Sequence, residues 1–461
     1  MKSFATNCRP LLILLPAFAI FSESCKKTEI ASKQIPSEEF ATQTARNVVS
    51  LPNTKQYTAD VATAWFTLLT DITRSKPYPP AQSWPFFLYS GLALYESVLP
   101  GMPSNQSIYK YFTGNTIEFD DKKEYYWPAC ANAAIARITT KIIQNYPAPN
   151  VVSVQSLEAS LTASFQSIIT PEQLQVSNEF GRYVADKIYE LRKTDGDLNP
   201  DGTLATCPTY IPLGNPWNWV PTPPNFAPAV GACSGNRRSF IPNITTLVLA
   251  PVHINFSTDT ASAFYRAANE VYEAKNNITP DQISRSNNWS NVNGSYNLFA
   301  HSIKIVTDIV QKENLNLEDA AALYAKVAIA MNDAIRAVFK SQFHYSLLRP
   351  ITYIRNVIGD STWTSINTIP SHPSYPDETV CPVAAVMTIL EYYFGPAYAF
   401  TDSSNKSWCG EWSYPSLNAL VTDVVQGRIN KGANFRFAAE TAVVQGRAVG
   451  QLVAQLPFKK P

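Results

Sequence analysis

Three stretches carry the reading of this chain: Gln342-Phe343-His344-Tyr345-Ser346-Leu347-Leu348-Arg349-Pro350, then Tyr375-Pro376-Asp377-Glu378-Thr379, then Gly427-Arg428-Ile429-Asn430-Lys431-Gly432-Ala433-Asn434. Two arginines bracket a pair of carboxylates. Arginine forks suit a tetrahedral oxyanion, because guanidinium pairs with it bidentately. Asp377 and Glu378 bring the opposite charge to the same frame. Arg349-Pro350 alone would be an ordinary arginine at a helix edge, so only the joint order and spacing of the three segments is informative.

Outward from these segments the pattern is helical. From Leu317 to Lys340 the apolar positions Ala320, Leu323, Val327, Met331, Ala334 or Ile335 and Val338 make one face of a 3.6-residue repeat. Asp259 to Ala274 behaves alike, with Phe264, Ala267, Ala268, Val271 and Tyr272. Asn291 to Val310 follows, with Phe299, Ile303, Val306 and Ile309 or Val310. Leu417, Leu420, Val421 and Val424 predict one later stripe, and Val444, Ala448, Leu452 and Leu456 another. Thr170-Pro171-Glu172 and Thr279-Pro280-Asp281 each place a capping hydroxyl, a first-turn proline and an acid at a helix start. Thr245 to Val252 is the best strand candidate and stands alone. The expected fold is all-α, a large helical bundle interrupted by one long excursion.

Composition narrows the partners. The formal charge is +1, which gives no electrostatic case for nucleic acid. Lys2 and Arg9, the apolar stretch Pro10 to Phe21 and then Ser24-Cys25-Lys26-Lys27 read as an export signal too short to span a bilayer as a helix. Cys25 is the expected lipidated residue, with residues 26–55 as a tether and 56–461 as the globular body. Within that body, residues 56–198 and 243–461 read as helical parts joined by the Pro-, Gly- and Trp-rich 199–242. The protein is expected in the cell envelope, held at the membrane by its lipid alone. Cys207 with Cys233, and Cys381 with Cys409, have spacings compatible with bridges, although spacing does not fix connectivity.

In order and spacing, the three opening segments resemble the vanadium-dependent haloperoxidases and the related type-2 phosphatidic acid phosphatases. That family reads Lys, six residues, Arg-Pro; then Pro-Ser-Gly-His; then Ser-Arg, three residues, Gly, one residue, His. Further matches in the right order extend the resemblance from about residue 56 to the C-terminus: Lys76 to Ala81, Gly91 to Pro103, Trp219 to Pro224, Asn236 to Phe240, Trp289, His301, Phe394-Gly395 and Phe400 to Ser403. The resemblance implies an α-helical bundle of the haloperoxidase and acid phosphatase type, vanadate as the parent cofactor, and a possible homodimer.

The same resemblance shows what is missing. Arg349 and Arg428 match the two family arginines, but Gln342 stands where Lys is expected and Asn434 where the last His is expected. Lys340 lies about 200° round the helix axis from Gln342 and is a poor substitute. Asp377, Glu378 and Thr379 replace the hydroxyl, the small residue and the acid/base His. Thr379 does not titrate near neutrality, and a carboxamide is neither nucleophile nor vanadium ligand. Each carboxylate facing a bound anion at about 5 Å would cost roughly 3 kcal/mol at an effective dielectric near 20. The expectation is a degenerate oxyanion pocket of Gln342, Arg349, Asp377, Glu378, Thr379, Arg428 and Asn434, with Asp377 or Glu378 as internal partner to the arginines. No cofactor and no metal is expected. The alternative is an active phosphatase or haloperoxidase-related enzyme of altered chemistry, in which His344, His372, Asp377 and Glu378 could hold a divalent metal.

Overall fold

A computed structural model of the protein describes residues 51–75, 80–144, 151–290 and 295–461. Cys25, the signal and most of the tether lie outside the described residues, as do Lys76 to Pro79 and the first residues of the run expected from Asn291. The architecture is all-α. The first part holds α1 (Asp60–Ser75), α2 (Pro80–Val98), α3 (Ile108–Thr113), α4 (Trp127–Ile143), α5 (Val151–Phe165) and α6 (Pro171–Arg192). After a long irregular segment come α7 (Ile244–Leu247), α8 (Ala263–Asn276), α9 (Pro280–Asn288), α10 (Leu298–Lys312) and α11 (Leu317–Tyr345). The last part holds α12 (Pro350–Tyr353), α13 (Val380–Phe394), α14 (Lys406–Cys409), α15 (Leu417–Asn430) and α16 (Arg436–Ala454). Among the described residues, the one sheet is the antiparallel pair β1 (Phe400–Asp402) and β2 (Trp412–Tyr414).

Helix α11 is the axis of the molecule, because it is buried around most of its circumference. Its alanines, from Ala320 to Ala337, let neighbours approach on every side: α2 packs on one flank, α13 and α16 on another. The expected capping holds. Thr170 and Thr279 accept from the backbone N–H groups of Gln173 and Gln282, and Gln282 completes a capping box.

Three expectations are corrected. The outer stripe of α16 is wrong by about a residue: Val444 is 68 % exposed, while Ala438, Ala442, Gln445, Gly446, Val449 and Val453 face inward. The reason is proximity to α13, since a Cβ on Gly446 would lie 2.1 Å from the Cys381 carbonyl oxygen. Small residues mark the buried face here, and large apolar ones do not. Thr245 to Val252 is not a strand. It has no neighbouring strand, and its backbone is met by side chains instead: Gln445 Nε2 donates to the Val248 carbonyl at 2.8 Å, and the Tyr345 hydroxyl donates to that of Ala250 at 2.5 Å. Cys207 and Cys233 are bridged, but Cys381 and Cys409 form no bridge with one another. Cys381 sits in the core at the start of α13, its Sγ directed at the Ala334 carbonyl and at Gln445.

The irregular segment between α6 and α7 straps the end of α11. The Trp219 N–H donates to the Ser346 carbonyl at 2.6 Å, Tyr210 and Ser346 share a hydroxyl bond of 2.6 Å, and the Val230 N–H donates to the Ser371 carbonyl at 2.8 Å. Trp219 is fully buried, whereas Phe226 is exposed. The strap thus pins the segments leading into Arg349 and His372.

Candidate functional site

Four elements deliver the site. Gln342 comes from the last turns of α11, which ends at Ser346 in a left-handed conformation. Arg349 caps the short α12, which opens on Pro350 as a first-turn proline should. Asp377, Glu378 and Thr379 form the entry to α13, and Arg428 lies in the last turn of α15. Gly432, at φ +78°, turns the chain back so that Asn434 returns beside Arg428; a Cβ there would also strike Trp363. All seven expected residues are buried and adjoin one another.

The two carboxylates occupy the guanidinium forks. Arg428 donates from Nε to Asp377 Oδ2 and from Nη2 to Glu378 Oε1, both at 2.6 Å. Arg349 Nη2 lies 3.5 Å from Glu378 Oε2, so Glu378 spans both arginines. Gln342 Nε2 donates to the Pro376 carbonyl at 2.8 Å and reaches Glu378 Oε2 at 3.4 Å. Asn434 Nδ2 donates to Asp377 Oδ2 at 2.8 Å. The other Asp377 oxygen accepts from the backbone N–H groups of Thr379 and Val380, capping α13 where its dipole favours negative charge. Thr379 thus contributes its backbone.

Charge regulation follows this geometry. Burial acts to raise the Glu378 carboxyl, but Arg428 and then Arg349 outweigh it and hold Glu378 well below the usual carboxylate range. Burial depresses Arg349, with Glu378 opposing, while Asp377 and Glu378 together raise Arg428 despite its burial. Cavities of about 680 and 540 Å³ open elsewhere, and neither is lined by any of the seven residues.

Two buried cations or bases complete the cluster. His372 gives its carbonyl to Arg349 Nε at 2.9 Å, and its Nδ1 lies 3.1 Å from Arg349 Nη2. Burial lowers the His372 imidazole to about 4. Lys431, which the spacing argument passed over, is buried with its Nζ 3.1 Å from Ser290 Oγ, and burial followed by the Arg428 charge lowers it to about 7. Its place three residues after Arg428, at the residue that caps α15, was the available signal, since residues so spaced lie on one side of a helix end.

Behind Lys431, the Trp289 and His301 of the family resemblance form a layer with Asp402. The two rings stack at 4.0 Å, and His301 Nε2 lies 2.8 Å from Asp402 Oδ2. His344, by contrast, is exposed at the end of α11, so the set His344, His372, Asp377 and Glu378 is not brought together as a metal site. Among the described residues no group of three or more His, Cys, Asp and Glu has metal-holding geometry.

Sign follows from the His372 shift. A histidine whose folded value lies below its ordinary 6.5 binds fewer protons folded than unfolded, so stability falls as pH drops from about 6.5 to 4. At about 1.4 kcal/mol per unit this amounts to roughly 3 kcal/mol at most. The expected result is a thermal midpoint that declines over that window and declines less in His372→Gln, measured by scanning calorimetry in matched buffers. Equal slopes would remove His372 from the account.

Residues 322–459 match the family model described as the VCPO second helical-bundle domain. The fold matches the crystal structure of a bacterial vanadium-dependent iodoperoxidase with a TM-score of 0.78 and 24 % identity, over 88 % of this chain and 98 % of that one. It matches the holo form of a bacterial vanadium-dependent chloroperoxidase with a TM-score of 0.64 and 15 % identity, over 84 % and 95 % of the two chains. A search of curated proteins finds no match. The family model thus covers the part of the chain that carries the site, and the fold as a whole is that of these bacterial vanadium-dependent haloperoxidases.

Vanadate does not fit the residues present. Both arginines already hold carboxylates, and the amide of Asn434, at the position of the expected metal-ligating His, donates to Asp377. No helix among the described residues is long and apolar enough to cross a membrane.

Proposed function

We propose that this chain is a haloperoxidase-like lipoprotein whose oxyanion cradle is filled from within, and that it has a binding or structural role without turnover. The observation that carries the reading is the Glu378 carboxylate reaching both Arg428 and Arg349, with Asp377 on the second side of Arg428. A buried guanidinium pair without counter-charge would be costly, and an internal partner removes the drive to recruit an external anion. Loss of both family histidines and the lysine also removes the ligand and the acid/base group. The protein would be exported and held at the envelope by lipid on Cys25, and a homodimer is consistent with the family.

The competing reading is an enzyme of altered chemistry, phosphatase or haloperoxidase-related. It draws on Lys431 and His372, two buried titrating groups beside the cluster whose values are about 7 and 4. One set of assays separates the readings: halide oxidation with peroxide under vanadate titration, and hydrolysis of a chromogenic phosphate ester with and without divalent metals. The expected outcome is no turnover above buffer. Turnover that disappears in Arg349→Gln or Arg428→Gln would overturn the proposal.

A further inference from the structure

The strap over the end of α11 is closed by the Cys207–Cys233 bridge, and the two sulfurs have unlike surroundings. Cys207 Sγ is approached by two donors, the Cys233 N–H at 3.3 Å and Arg237 Nη2 at 3.9 Å. Arg237 is held in place, because its Nη1 pairs with Asp197 and its Nη2 also donates to the Ala205 carbonyl at 3.2 Å. Cys233 instead lines a cavity of about 540 Å³, whose lining does not include Cys207. Both cysteines are partly exposed.

This asymmetry gives thiol–disulfide exchange a direction. A thiolate attacks one sulfur of a disulfide, and the other sulfur leaves as a thiolate, faster when that thiolate is the better stabilised. A cation and an N–H beside a sulfur stabilise its thiolate. Cys207 is therefore the leaving sulfur, and Cys233 is the one attacked, from the cavity. Arg237 and Arg238 line the same cavity against the carboxylate of Asp195, which already accepts from the Tyr89 hydroxyl and the Asp197 N–H. Lys340 Nζ donates at 2.9 Å to Asn236, another lining residue. The positive side chains favour a small thiol that carries a negative charge.

We propose that Cys207–Cys233 is an exchangeable, redox-active bridge: a small anionic thiol enters this cavity, its thiolate attacks Cys233 Sγ, and Cys207 leaves as the thiolate. A new S–S bond forms at Cys233 as the bond between the two cysteines breaks. A second thiolate then attacks the small molecule's sulfur in the mixed disulfide and frees Cys233 as a thiolate. Two small thiols are thereby oxidised to one disulfide, and the protein bridge takes up the two electrons. The consequence lies in the strap. With the bridge cut, it stays on the end of α11 through noncovalent contacts, such as the Trp219 N–H to the Ser346 carbonyl and the Leu348 N–H to the Trp217 carbonyl. Loosening there reaches the segment leading into Arg349. No cradle residue takes part, so the proposal does not rest on the absence of turnover.

The test compares mercaptoacetate with 2-mercaptoethanol on the purified folded protein, each rate divided by that of urea-unfolded protein with the same thiol. Samples are quenched with acid and N-ethylmaleimide, and peptide mass spectrometry locates the adduct. The expected result is an early mixed disulfide on Cys233 with Cys207 alkylated, exceeding the reverse by about tenfold. The normalised rate should be about threefold higher, or more, for mercaptoacetate. Arg237→Gln should cut the Cys233 preference to about threefold or less, since a less stabilised thiolate leaves more slowly. Hydrogen exchange of the Trp219 and Leu348 amides should quicken by about tenfold once the bridge is reduced. Should Arg237→Gln not fold, the adduct ratio and thiol preference of the unaltered protein decide. Adducts shared equally between the cysteines, equal normalised rates, a ratio unchanged in folded Arg237→Gln, or amides unmoved by reduction would each overturn the proposal.

Discussion

Arg428→Leu is expected to destabilise the fold by about 3–5 kcal/mol, the usual consequence of removing one partner from a buried ion pair. Two carboxylates depend on this guanidinium at 2.6 Å, and both are buried. Asp377 would retain the α13 backbone and the Asn434 amide, but Glu378 would keep only contacts of 3.4 and 3.5 Å to Gln342 and Arg349. Arg349→Leu should cost less, because two of that arginine's donors go to the carbonyls of His372 and Ala433 and its carboxylate contact is long. The measurement is urea unfolding of each variant, compared at a common slope. An Arg428→Leu loss below about 1 kcal/mol, the level of a surface pair, would contradict the cluster as described.

The second large effect is a gain. Asp377→Ser combined with Glu378→Gly removes both internal carboxylates and leaves Arg349 and Arg428 without counter-charge. Serine can still cap α13, since it ranks with aspartate at that position. The double variant should be markedly less stable than the parent in anion-free buffer and recover with orthovanadate or phosphate. At one hundred times the dissociation constant the recovery would be about 2.7 kcal/mol. The parent protein should show no such response that depends on Arg428. Failure of the variant to respond would mean that filling by carboxylates is not what keeps an external anion out.

The fold was legible where apolar periodicity coincided with real burial. The predicted faces of α10 and α15 are buried, because branched and long apolar side chains supply the core there, whereas α11 is buried on nearly every side and its predicted face is only part of what it buries. Legibility failed on α16, where contact with α13 is made by Gly446 and alanines, and a hydrophobic stripe is not what a close helix crossing needs. It failed at Thr245 to Val252 because β-branched residues describe a local preference, and a strand also requires a neighbour.

At the site, the family resemblance singled out seven residues that lie side by side in the fold, and the charges alone suggested that the arginines would pair with Asp377 or Glu378, as Arg428 does. Spacing did not reveal Lys431, whose importance comes from burial beside Arg428, nor did it exclude His344, which faces solvent at the end of α11.

The most direct measurement is a crystal of the unaltered protein soaked in orthovanadate or tungstate. With the cradle closed by its own carboxylates, no oxyanion should lie between Arg349 and Arg428, and Glu378 should still reach both. A tetrahedral anion seated between the two guanidinium groups, with Glu378 swung aside, would contradict the account.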